Sequence, residues 1–270
     1  MPEFGANPVS GCAQRGSPLR SGPHRIFLLS PASVGGIRAG LVMNGSADSE
    51  IARRLRQDGV PLGELFSFMS GLYFRGKLAY ARAFAAAPRD LDGAFVITAS
   101  GGLVPPGMLV TLQRLREISA GSVDPADARY RVPLDRDAQV LSEAVGLHCE
   151  IVLLGSIATP KYVDPLLDIF GGRLVFPAEF VGRGDMSRGG LMLRCVESGK
   201  QLTYIPVLEA TRHGRKPPKL EVISSRTART KQNLRSQVRP ATSPRANNCS
   251  SGSHIVKGTQ VRGCMEESPQ

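Results

Sequence analysis

Three short apolar runs constrain this chain more than any other feature: Ile26-Phe27-Leu28-Leu29, Ala94-Phe95-Val96-Ile97 and Ile151-Val152-Leu153-Leu154. Each is continuous rather than alternating and short, with small or polar residues just beyond it, the pattern of a strand covered on both faces. Between them lie segments with helical spacing: Ile51 to Leu55 stopped by Gly59, a region opened by Pro61, Leu72 to Ala87, Leu112 to Ile118, and Leu134 to Val145. Ser46 or Asp48 would cap the first of these. After the third run, Pro160 opens a helix through Tyr162, Leu166 and Ile169, and Leu174-Val175-Phe176 forms a fourth strand. Strands alternating with helices predict an α/β fold, with a mostly parallel central sheet, right-handed crossovers and helices on both faces. Leu191 to Val196 and Gln201 to Val207, joined at Ser198-Gly199-Lys200, read as a C-terminal hairpin at the sheet's edge.

The ordered part should be one domain over residues 25–220. Residues 1–24 are rich in Gly, Pro and Ser and read as a disordered arm, and residues 221–270 lack apolar periodicity and read as a disordered basic tail. The formal net charge is +11, and the tail, with eight Lys or Arg against three Glu, holds about half of that excess. The domain itself is mildly basic, which permits an anionic partner without requiring one. No run approaches the roughly 18 to 20 apolar residues of a membrane helix, and no signal-peptide segment is present, so a cytoplasmic protein is expected. Five cysteines without a CxxC pair argue against a disulfide framework and a zinc site; no metal and no cofactor are expected. H-E-x-x-H, G-x-S-x-G and EF-hand patterns are absent from the sequence.

In a parallel sheet, ligands bind beyond the carboxyl ends of the strands. The segments that follow the strands are rich in small polar residues: Ser30, Ser33, Gly35 and Gly36 after the first, Thr98, Ser100, Gly101 and Gly102 after the second, Gly155, Ser156 and Lys161 after the third. The fourth strand runs into Phe176 to Gly190, where Glu179, Arg183, Asp185, Ser187 and Arg188 alternate with Gly182, Gly184, Gly189 and Gly190. These loops should meet on one edge. Arg183 and Arg188 would grip a phosphate or carboxylate through their planar forks, with Asp185 or Glu179 as candidate catalytic groups orienting a water or a sugar hydroxyl. The competing reading is a loop tied by Asp185–Arg188 or Glu179–Arg183 salt bridges. In the helix from Leu72 to Ala87, Phe74, Leu78, Ala81 and Ala85 form a core stripe, Tyr73, Lys77, Tyr80 and Phe84 a second, and Arg75 and Arg82 a third face. Gly71 to Lys77 spells G-x4-G-K, but Leu78 stands where a Ser or Thr would hold magnesium. Arg75, Lys77 and Arg82 are instead candidates to meet a nucleic-acid backbone, or are solvated helix charges.

Leu28-Leu29-Ser30-Pro31-Ala32 is similar to the opening L-L-S-P-A of the YaaA peroxide-stress family. Val96-Ile97-Thr98 through Gly102-Leu103-Val104-Pro105 resembles a strand followed by G-L-x-P, found in that family and in the uracil-DNA-glycosylase-like domain of archaeosine synthases. Leu72-Tyr73-Phe74-Arg75 resembles a helix start in related bacterial proteins. The chain departs from the YaaA pattern in having Ser33 where a Lys is usual, and Gly101 or Gly102 where an aromatic residue is. The resemblance implies a nucleic-acid-associated α/β domain with a basic cleft.

Two functional expectations follow. One is a protein that binds DNA or RNA, with a glycosylase-like cleft holding phosphate and sugar and with base processing as its chemistry. The other is an enzyme or sensor for a small anionic metabolite such as a nucleotide or phosphosugar. An interaction domain with an empty cleft is the third, plainer possibility.

Overall fold

An apolar run such as Ile26 to Leu29 is stable as a strand only with cover on both faces, and a computed structural model, which describes residues 23–44 and 49–220, provides it. β1 (Arg25–Leu29) has Ile26 to Leu29 fully buried. It is followed by α1 (Ile37–Met43), α2 (Glu50–Gln57), β2 (Val60–Pro61), α3 (Leu62–Ser70), α4 (Leu72–Phe84) and β3 (Ala94–Ile97). β4 (Leu103–Val104), β5 (Leu109–Val110), α5 (Leu112–Ile118), α6 (Ala128–Val145) and β6 (Glu150–Leu154) come next. The chain continues through α7 (Pro160–Phe170), β7 (Leu174–Pro177), α8 (Asp185–Ser198) and β8 (Tyr204–Pro206). The main sheet of the described residues has the order β4-β3-β1-β6-β7-β8. β1 pairs in parallel with β3 and β6, and β6 with β7, whereas β4 and β8 close the two edges antiparallel. β2 and β5 form a separate antiparallel pair. The helices cover both faces, with α3, α4 and α8 in one group and α6 with α7 in the other.

The predicted hairpin is half right. Tyr204–Pro206 is an edge strand, but Leu191 to Val196 belongs to α8. The buried residues of α8 are Gly189, Met192 and Cys195, a spacing of three that lays one helical face on α4. α6 also starts earlier than the expected Leu134, because Asp127 caps it, its carboxylate accepting from Arg129 N at 2.9 Å. The cap of α2 is Ser49, and Ser46 and Asp48 lie outside the described residues, as do residues 1–22 of the arm and the whole tail. Among the described residues, no helix is long and apolar enough to cross a membrane.

α4 is buried on two stripes rather than one. Phe74, Leu78 and Ala81 are in the core as expected, and so are Tyr73, Lys77, Tyr80 and Phe84, because the helix lies between the sheet and its partners α3 and α8. The second stripe is anchored by hydroxyl chemistry. Tyr80 and Tyr204 share a hydrogen bond of 2.7 Å, and Leu202 N donates to Tyr80 Oη at 2.8 Å, fixing the edge strand.

The approach of α4 to α8 is close enough to require glycine. A Cβ on Gly76 would stand 2.7 Å from Gly189 O, and one on Gly189 would stand 2.8 Å from Leu72 O. Backbone cannot yield as a flexible side chain can, so overpacking here should cost about 1–3 kcal/mol. The adjacent Gly190 differs: its added Cβ would meet Leu220 Cδ1 at an ordinary 3.6 Å. Urea unfolding should therefore separate the two neighbours by sign. Gly189→Ala is expected to lower stability, and Gly190→Ala to raise it by up to about 1 kcal/mol through helix propensity. Equal effects would remove the close-approach argument.

Candidate functional site

After β1 the chain crosses to β3 on one side, while β6 occupies the other side of β1 and continues to β7. The connections part between β1 and β6, which makes this the switch point of the sheet, where a crevice opens beyond the strand ends. A cavity of about 470 Å³ lies there. Ser30 to Gly35 line it after β1, Thr98 and Ala99 after β3, and Ser156, Lys161 and Tyr162 after β6. Asp185, the first residue of α8, contributes a carboxylate, and Phe66, Ser70, Tyr73, Ile118, Ser119, Gly121 and Val123 complete the walls.

Beneath this cavity is a buried lysine. Lys77 is 1% exposed, and its ammonium nitrogen donates to Ser30 O at 2.5 Å and to Ser30 Oγ at 2.8 Å. It also stands 4.4 Å from the centre of the Tyr73 ring and 5.0 Å from that of Phe74. Burial pushes its pKa down to about 7; the Asp185 carboxylate pulls upward and the Arg188 guanidinium adds to the fall. Tyrosines and cysteines aside, Ser30, Lys77 and Thr98 are the buried polar or charged side chains among the described residues, and the first two are bonded to each other.

Two hydroxyls on the cavity wall lack a partner. Tyr73 Oη and Ser119 Oγ are the buried side-chain polar atoms that make no hydrogen bond among the described residues, and both residues line this cavity. Arg188 donates from Nε and Nη2 to Phe180 O at 3.2 and 3.1 Å, and its guanidinium, beside the Tyr73 phenol, opposes by charge and hydrogen bonding the rise that burial imposes, without offering the phenol an acceptor for its proton. Burial raises the Tyr73 pKa to about 12, and that of Tyr162 likewise to about 12, so both are neutral donors near neutral pH.

The four predicted loops do supply residues to one cavity, but in fewer numbers than expected. Ser30, Ser33, Gly35, Thr98, Ser156, Lys161 and Asp185 line it. Gly36 caps α1 instead. Ser100 bonds Glu117 O, and Gly101 N donates to Thr98 Oγ1 at 2.9 Å. Gly102 turns back toward α6 at φ +67°, where a Cβ would fall 2.1 Å from Asp137 Oδ2, so its glycine serves the turn. Gly155 lies behind Ser30, and a Cβ there would come within 3.1 Å of the serine Cβ.

The charged loop before α8 is where expectation and structure differ most. Arg183 donates from Nε to Glu179 O at 2.9 Å and from Nη1 to Pro218 O at 3.3 Å and Ser187 Oγ at 3.4 Å. Both arginines thus satisfy carbonyls of the chain's own irregular backbone and do not line the cavity. Glu179 accepts from Thr203 N at 2.9 and 3.2 Å, which ties the loop to the edge strand. Of the two predicted salt bridges, Asp185–Arg188 is present, with Arg188 Nη1 at 3.8 Å from the largely exposed Asp185, whereas Arg183 meets Glu179 through its carbonyl rather than its carboxylate. Lys77 faces inward, so it is no surface contact for nucleic acid, while Arg75 and Arg82 are exposed. Tyr73 and Lys77 could have been found together from their spacing of four on one helical stripe; nothing local marks Ser119.

Lys77 makes the protein's stability depend on pH. The unfolded lysine titrates near the ordinary 10.5 and the folded one near 7, so between these values the unfolded state binds more protons. Stability from this group therefore rises with pH across that window, and the penalty is complete below about pH 7. Lys77→Met should melt at a higher temperature than the wild type near pH 6, with the advantage shrinking toward pH 10. A difference in melting temperature that is flat across that range would contradict the buried, depressed lysine. Comparison of the chain with protein-family models, with curated proteins and with solved structures gave no match.

Proposed function

We propose that the chain binds a small polar molecule of nucleoside or nucleotide size in the switch-point cavity, as an enzyme or sensor. The observation that carries this reading is the placement of both unpartnered buried hydroxyls, Tyr73 Oη and Ser119 Oγ, on the wall of one cavity. Buried polar atoms without partners are rare because each costs free energy, and a ligand that supplies the missing bonds removes the cost. The volume falls within the range of small-molecule sites. Phe66, Tyr73 and Tyr162 offer aromatic surface, Ser30, Ser33, Thr98 and Ser156 offer hydroxyls, and Asp185 is available to a sugar hydroxyl. Lys161 is the cation on the lining, sufficient for one phosphate rather than a polymer backbone.

The DNA- or RNA-binding alternative finds less support in the arrangement of charge. Arg82 lies beside Ala94, the first residue of β3, whereas the cavity opens beyond the last residues of the same strand. A backbone lying along this arginine would run past the other end of the domain.

Thermal shifts with nucleosides, mononucleotides and a mixed oligonucleotide test the reading. A nucleoside or mononucleotide should raise the melting temperature with saturation, and the oligonucleotide should add nothing. Tyr73→Phe should leave the free protein as stable or more stable, since an unsatisfied buried hydroxyl costs about 1–3 kcal/mol, and should weaken binding about tenfold. No shift with any nucleoside or mononucleotide, or unchanged affinity in Tyr73→Phe, would refute it.

A further inference from the structure

The buried lysine has a second consequence, which rests on the cavity being a ligand site though not on the ligand being a nucleoside. Replacing Lys77 by an apolar side chain would spare the fold a desolvated amine, and among the described residues its hydrogen bonds go only to Ser30, one through the carbonyl at 2.5 Å and one through the hydroxyl at 2.8 Å. Ser30 in turn lies at the end of β1, lines the cavity and has the side-chain-free Gly155 behind it. A serine hydroxyl within hydrogen-bond reach of an amine, at the floor of a cavity whose wall carries an unused tyrosine hydroxyl, meets the geometric requirement for nucleophilic catalysis. We propose that Ser30 is a nucleophile activated by Lys77, and that the cavity hydrolyses a small carboxylic ester through an acyl-serine intermediate.

The step balances with water as the only co-reactant. Ser30 Oγ forms a bond to the ester carbonyl carbon, its proton passes to the neutral Lys77 Nζ, and the carbonyl electron pair moves to oxygen. Tyr73 Oη, whose proton no acceptor among the described residues takes, is available to that oxyanion. As the carbonyl re-forms, the bond to the alkoxide breaks and Lys77 returns the proton to it, releasing an alcohol. Water then attacks the acyl carbon, gives its proton to Lys77, and Ser30 leaves with that proton. The Tyr73 and Phe74 rings face the ammonium, so they favour the charged lysine formed during attack more than the neutral lysine that precedes it.

The lysine must be neutral to accept the proton, which places activity on the alkaline side of its titration near 7. The charged and titratable groups around it are Asp185 and Arg188 on α8, Tyr73 on its own helix, and Lys161 and Tyr162 of α7 across the cavity. Asp185 opposes the depression and Arg188 reinforces it.

A small alkyl fluorophosphonate tests the proposal on the full chain, because a serine with an adjacent base displaces fluoride from phosphorus and keeps the adduct. Tandem mass spectrometry of the wild-type protein should place one adduct on Ser30, with a labelling rate that rises through about pH 7. The rate should fall at least about 100-fold in Lys77→Met, a variant expected to stay folded, and the adduct should be absent from Ser30→Ala. An unlabelled Ser30 in the wild type, or a folded Lys77→Met that is labelled as fast as the wild type, overturns the proposal. The two readings fail separately: a nucleoside shift without labelling leaves the binding site and removes the nucleophile, and labelling without a nucleoside shift leaves the nucleophile and removes the nucleoside as the ligand.

Discussion

The contact between α4 and α8 at Gly76 and Gly189 governs the arrangement of the carboxyl edge. With no side chain on either glycine, the two backbones meet closely enough that an added methyl group would collide with a carbonyl oxygen. This proximity buries the Tyr73, Lys77, Tyr80 and Phe84 stripe of α4, which a more distant α8 would leave open to water. It also brings the first turn of α8 to the cavity, so that Asp185 stands on the lining while Arg188 acts on Lys77 and Tyr73 from behind. One packing constraint thus sets both the burial of the amine and the charges around it.

The energetic character of the site follows from that burial. Most of the interior resolves its polar groups internally: Tyr80 with Tyr204 and Leu202, Tyr130 with Lys161 O, Thr98 with Gly102 O. The exceptions gather at one place. Lys77 is held with its ammonium desolvated, and Tyr73 and Ser119 keep hydroxyls unpaired, all around the cavity at the switch point. A fold selected for stability alone would have replaced such groups with apolar ones, since unsatisfied or desolvated polar groups cost more than the hydrogen bonds of a satisfied interior return. Their clustering around one concavity is what makes it the candidate site.

The charged, glycine-rich stretch before α8 illustrates why composition misleads about loops. Arg183, Arg188 and Glu179 look like ligands because they alternate with glycines, yet each bonds main-chain atoms that no regular element satisfies. An irregular segment leaves carbonyls and amides unpaired, and long charged side chains are well suited to pair them. Gly189 has a different purpose again: it is a helical residue whose missing Cβ admits a neighbouring helix. By contrast Ser30, Thr98 and Ser156 were legible as edge residues because a buried apolar run reliably announces where a strand ends.

By itself, the order of apolar runs and helical segments determined the α/β class, the main parallel strands, and the edge on which their following loops meet, because strand burial and crossover handedness are imposed by local pattern and chain chirality. Tertiary structure decided which side chains the cavity holds. Whether a lysine on α4 points to solvent or into the interior depends on what packs over it, and that is set by α8, more than a hundred residues later in the chain. The same holds for Tyr73 and Ser119, whose missing partners are a property of the assembled interior and leave no mark on the segments that carry them.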